Sequence, residues 1–197
     1  MSVSDCFALL QEARQPWLDA VLLKEKFLAL SARTHPDRFT DAQEKAAAQS
    51  RFAEINAAHE TLRDTKRRLQ HLLTLERGAK PADIHDIPAA MAEVFIEVLQ
   101  LLKSVDGFLA ARDAQPSALL KARQYATALE WLERVEILQA RLAQQHHALE
   151  AQLRALSQSW AGATADLLAQ VESHYHQASY LARWRQQLQE RALQLGL

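Results

Sequence analysis

The 197-residue chain has one cysteine, Cys6, only four glycines and five prolines, and no excess of charge of either sign. A lone thiol cannot close an internal disulfide, and it excludes a C-x-x-C zinc or redox site. So little Gly and Pro leaves too few turns for a sandwich or barrel of short strands. Charge is balanced, 23 Lys+Arg against 24 Asp+Glu, whereas proteins that bind nucleic acid or anionic membranes carry a strong basic excess. No apolar run approaches the roughly 20 residues of a membrane span. Met1-Ser2-Val3-Ser4-Asp5 has an early acid and no basic n-region, so no secretory or transit signal is expected and residence in the cytoplasm is. A Gly-rich phosphate loop, G-x-S-x-G and H-E-x-x-H are all missing. The eight histidines include no i, i+4 pair. Neither an enzyme nor a metal or cofactor protein is expected.

What is present is helix-forming. The chain is 49% hydrophobic and 24% charged, close to the globular average, so a packed core is expected. Leu, Ala, Gln, Glu and Arg dominate, and these lose little side-chain entropy in a helix. The fold class is all-α.

Turn chemistry divides the chain near Gly78-Ala79-Lys80-Pro81 and Asp86-Ile87-Pro88. Upstream, Asp5 and Asp19 stand as caps for a short first helix and for a second reaching Thr34. Leu23, Phe27, Leu30 and Thr34, spaced 4-3-4, form one face of that second helix. A third helix is expected from about Asp41 to Leu62, with Ala48, Phe52, Ile55 and Leu62 inward, and Leu69, Leu72 and Leu73 mark a fourth. Downstream, Pro88 suits a first turn, with Met91, Val94, Val98, Leu101 and Val105 facing inward. Pro116 could start a second long helix, with Leu132, Val135, Leu142, Leu149, Leu153 and Leu156 as its seam. Gly162 breaks before a last helix carrying Leu167, Val171, Tyr175, Ala178, Leu181, Leu188 and Leu195. The expected organisation is 1–77 as one unit, 78–87 as linker and 88–197 as a three-helix bundle.

Between the second and third helices stands Thr34-His35-Pro36-Asp37-Arg38-Phe39. A shuffled chain of this composition would contain His-Pro-Asp about once in a hundred trials. Pro36 pushes His35 out of the α region and stops the helix at Thr34. The tripeptide is thereby held at the tip of a hairpin, where polar groups are presented to solvent.

With the Leu23/Phe27/Leu30 stripe and the run from Phe52 to Leu62-Arg63-Asp64, this tripeptide resembles the J-domain, the module that recruits and activates a DnaK- or HscA-type chaperone ATPase. The resemblance implies that Asp37 engages an Arg of the chaperone, that His35 and Pro36 shape the loop, and that Lys26, Arg33 and Arg38 meet an acidic surface. Lys26 and Arg33, seven positions apart, are expected on one exposed face. Thr34 and His59 stand where the family commonly has aromatics.

No Gly/Phe-rich linker and no Cys repeats follow, and a J-domain leading directly into a helical bundle resembles the HscB family of iron–sulfur co-chaperones. Arg68-Leu69-Gln70-His71-Leu72-Leu73, Asp86 with Met91, and Ser179-Tyr180-Leu181-Ala182-Arg183-Trp184 carry that likeness. It implies that the bundle binds an IscU-type scaffold protein through Met91, Val94 and Tyr180, with Ala90 where a larger apolar residue is expected. By spacing alone, Met91 and Val94 read as core. Tyr180 and Trp184 lie off the Leu181/Leu188 stripe and are expected on the surface. The expected protein is a monomeric co-chaperone. The competing readings are a J-domain protein with another client, and a helical adaptor whose J-domain is degenerate. The basic run Arg63-Asp64-Thr65-Lys66-Arg67-Arg68 is too short an argument for nucleic acid. Cys6 reads as a small buried apolar residue.

Overall fold

The computed structural model describes residues 4–82, 87–114, 124–160 and 164–196. The expectations for Asp86, Pro116 and Gly162 fall outside these residues. Among them every regular element is helical: α1 (Cys6–Leu9), α2 (Ala20–Arg33), α3 (Ala42–Arg63), α4 (Thr65–Arg77), α5 (Ala92–Asp113), α6 (Tyr125–Gln158) and α7 (Ala165–Leu195), with 3-10 turns at Pro36–Arg38 and Ala89–Met91. No helix of the described residues is long and apolar enough to cross a membrane.

The helix starts follow local chemistry. The carboxylates of Asp5, Asp19 and Asp41 each accept two backbone N–H groups of the first turn of α1, α2 and α3, which satisfies donors that the helix itself cannot. Asp64 ends α3 and caps α4, accepting from Arg67 N at 2.8 Å. Gly78 ends α4 in the left-handed region, φ 71°, a conformation that costs other residues about 1–2 kcal/mol. Pro88 is not inside the first turn of α5. It precedes the 3-10 turn Ala89–Met91, one turn ahead of the helix.

Contacts group the chain into two compact units, one of residues 1–83 with 150–175 and one of 84–149 with 176–197. In the first, α3 packs against α1, α2, α4 and the 3-10 turn at Pro36–Arg38. Phe7, Leu10, Leu23, Ile55, Leu62, Leu69, Leu72 and Leu73 are fully buried there, each worth about 1.5–3 kcal/mol relative to exposure. Residues 150–175 add Leu153, Leu156, Val171 and Tyr175 to the buried set. They are held by polar contacts as well: Trp17 N donates to Ser157 Oγ at 3.0 Å, Arg154 lies over the Trp17 ring, and Arg77 pairs with Glu172 at 2.9 Å.

The second unit buries Val94, Val98, Leu102, Val105 and Leu109 of α5 with Val135, Leu138, Leu142 and Leu149 of α6 and Tyr180, Leu181, Trp184 and Leu188 of α7. Arg191 bridges α7 to Asp106 of α5 at 2.9 Å, and Arg141 of α6 pairs with Glu97 of α5.

Candidate functional site

The His-Pro-Asp tip is built by the backbone of its own residues. At the end of α2, both the amide and the hydroxyl of Thr34 donate to Leu30 O, at 3.1 and 2.9 Å. His35 is extended, φ −61° and ψ 128°, as a residue before proline must be. Pro36 opens the 3-10 turn, closed by Arg38 N on His35 O at 3.1 Å and Phe39 N on Pro36 O at 3.2 Å. His35 Nδ1 accepts the Asp37 amide at 3.3 Å, and the ring meets Phe52 of α3 edge-on at 5.4 Å. His35 thus fastens the turn to the hairpin from both sides.

The Asp37 carboxylate plays no part in that fastening. Its side chain is 79% exposed, and its nearest ionisable neighbour is His35 Nδ1, 3.6 Å from Oδ2, too far for a hydrogen bond. A rigid turn therefore projects a carboxylate into solvent with its acceptor positions open.

The three expected cations have separate fates. Arg33 is exposed at the last turn of α2. Arg38 is exposed but folds back, donating to Ala32 O at 3.2 Å. Lys26 is not a free partner of Arg33. Its ammonium pairs with Glu12 at 2.9 Å and donates to Gln11 O at 3.0 Å, fixing the loop where Gln11 adopts a left-handed φ of 56°. The sequence pattern missed a second feature of α2: Val21, Leu22 and Leu28 are at least half exposed. The Leu23/Phe27/Leu30 stripe identifies the inner face, and the apolar residues left outside it were the available signal.

His59 takes the place of the expected aromatic by acting as one. Its ring stacks on Phe27 with centroids 4.1 Å apart, and burial followed by the charge of Arg63 pushes its pKa down. Thr34 uses its hydroxyl to close α2.

The residues expected to meet a client are buried. Met91 is 5%, Val94 2% and Tyr180 8% exposed. The surface expectation for Tyr180 and Trp184 is corrected: their rings pack together at 5.4 Å, and Trp184 also stacks on Phe95 of α5. The stripe logic failed because α7 faces more than one neighbour, so residues off its main seam are also covered. On the same stretch of α5, Ile96 and Leu99 are 53% and 50% exposed. Cys6 is half-buried, its amide donating to His71 Nε2 at 3.0 Å.

A helical hairpin that presents a His-Pro-Asp turn, braced by short flanking helices, defines a J-domain protein. The DnaJ domain model matches residues 5–71. A co-chaperone protein HscB homologue of Vibrio cholerae is 35% identical over 107 residues, covering 53% of this chain and 60% of the relative. A Shewanella halifaxensis HscB homologue is 41% identical over 61 residues, 30% of this chain and 35% of its own length. The matches thus span less than two thirds of the length of these curated relatives. Among solved structures, chaperone HscB from Vibrio cholerae superposes with a TM-score of 0.58 at 24% identity, covering 98% of this chain and 99% of that one. Human co-chaperone protein HscB does so at 0.62 and 16% identity, covering 96% and 83%. These two likenesses speak for the fold. Residues 5–71 are a DnaJ domain, and the chain is similar to HscB co-chaperones.

Proposed function

We propose that this protein is a co-chaperone, not itself an enzyme, that recruits a DnaK/HscA-type chaperone and stimulates its ATP hydrolysis while delivering an IscU-type iron–sulfur scaffold protein. It works as a monomer in the cytoplasm, with residues 1–77 as the J-domain, 78–87 as linker and 88–197 as the bundle that holds the client. The carrying observation is Asp37, a carboxylate held out on a rigid turn with its acceptor positions open. Such a group forms a charge-assisted, bidentate contact with an arginine of the ATPase. His35 and Pro36 keep the turn in shape, while Arg33 and Arg38 steer the encounter. The hydrolytic groups belong to the chaperone.

Asp37→Asn leaves the backbone bonds of the turn untouched, so helicity and melting temperature stay at wild-type values while ATPase stimulation is lost. Stimulation measured with and without purified scaffold tests both halves of the reading. Synergy supports delivery; full stimulation by the Asp37→Asn variant overturns the role of the tip. Met91, Val94 and Tyr180 are buried, and the exposed Ile96 and Leu99 of α5 supply the apolar contact for the client. Ile96→Asp abolishes the scaffold synergy and leaves the basal stimulation intact. A J-domain protein with a different client is the reading to adopt if the scaffold has no effect on the wild-type protein.

A further inference from the structure

The basic run at the start of α4 is unused by the tip, and the structure sorts its members. Arg63 pairs with Glu60 at 2.7 Å, and Arg68 is buried against Glu150. Arg67 is exposed and has no ion-pair partner among the described residues. On α4, Arg67, Gln70, His71 and Thr74 fall at i, i+3, i+4 and i+7, which is one stripe of a helix. Gly78 then turns the chain and brings Lys80, also exposed and without an ion-pair partner among the described residues, to the same place. With Thr61 of α3, these residues line a cavity of 410 Å³.

Among the described residues no carboxylate lies in that lining. Of the described acids near it in sequence, Glu60 is paired with Arg63 at 2.7 Å, Glu76 with Arg14 at 3.4 Å, and Asp64 accepts the Arg67 amide. Between the two cations the walls are neutral and polar. The Thr61 and Thr74 hydroxyls donate to Ala57 O and Gln70 O. His71 Nε2 accepts the Cys6 amide, so the neutral ring carries its proton on Nδ1, a donor with no protein acceptor among the described residues. The stripe from Arg67 to Thr74 rises about 10 Å along α4, and Lys80 joins the lining beyond the Gly78 turn. An extended chain of about four or five residues, at about 3.3 Å each, spans the groove and can offer a carboxylate to each cation.

We propose that this groove on α4 binds an acidic peptide segment in extended form. Binding is read by fluorescence polarisation with the full chain, a fluorescein-labelled peptide of five glutamates and its five-glutamine counterpart. The glutamate peptide binds saturably, more weakly as salt rises, and the glutamine peptide does not. Arg67→Gln combined with Lys80→Gln lowers the affinity at least tenfold; both residues are exposed, and circular dichroism confirms that the variant is folded. Lys24→Gln, an exposed cation elsewhere, leaves the affinity unchanged. Equal affinity in the double variant, an equal loss in Lys24→Gln, or saturable binding of inorganic phosphate without the glutamate peptide would each overturn the proposal.

Discussion

Arg68 of α4 donates from Nη2 to Glu150 Oε1 of α6 at 3.0 Å, although the two residues are 82 positions apart. The guanidinium is 4% exposed and also donates from Nε to Pro16 O at 2.9 Å and from Nη1 to Leu62 O at 3.0 Å. The Thr65 hydroxyl donates to the same Glu150 oxygen. Four stretches of the first unit therefore converge on one buried cation, whose pKa burial draws down against the opposing charge of Glu150.

Removing Glu150 strands that cation. Losing one partner of a buried pair costs about 3–5 kcal/mol, and the 25% exposure of the Glu150 side chain places Glu150→Ala at the lower end. Urea unfolding of the full chain measures it. Adding Arg68→Met to Glu150→Ala removes the unpaired charge and recovers part of the loss; a double variant less stable than Glu150→Ala alone would contradict the pairing.

Acid destabilises the first unit through its histidines. Burial lowers the pKa of His59, His71 and His174 in the folded chain. The unfolded chain, with ordinary values near about 6.5, then binds protons first as pH falls. Stability is full above that value and declines as pH drops through the lower folded pKa values. The urea midpoint is therefore lower at pH 5.5 than at pH 7.5. His59→Phe keeps the stack on Phe27 without a titrating ring and narrows the difference. An unchanged gap in this variant would show that His59 does not take part.

Lys26 and Arg33 should separate by readout. Lys26 is tied to Glu12 and Gln11, whereas Arg33 faces solvent. With the proposed chaperone partner, Arg33→Ala lowers the association rate at low salt and flattens its salt dependence, because free surface charge acts mainly on encounter. Lys26→Ala leaves the salt dependence nearly as it was and changes melting, the exposed pair being worth about 0.2–1 kcal/mol. Kinetics at two ionic strengths distinguish these outcomes.

Several features of this protein follow from short stretches of its sequence. Helix starts at Asp5, Asp19 and Asp41 are local, since a carboxylate bonds amides two and three residues ahead. The stop at Thr34 is local too, because Pro36 restricts the residue before it. The J-domain signature lies in the same category: His-Pro-Asp is contiguous, and the tip that the structure shows is made largely of its own backbone bonds.

Tertiary structure alone decided which charges and rings remain available. Lys26 and Arg33 look equivalent on a helical wheel, but Glu12 reaches one and not the other. Within one basic run, Arg63 is paired on its own helix, Arg68 is buried by a partner from the far side of the chain, and Arg67 is left to line a groove. Tyr180 and Trp184 lie off their helix's main stripe and are buried all the same, because Phe95 of α5 packs onto Trp184. Local bonds are written in adjacent residues; burial and pairing depend on neighbours that only folding brings together.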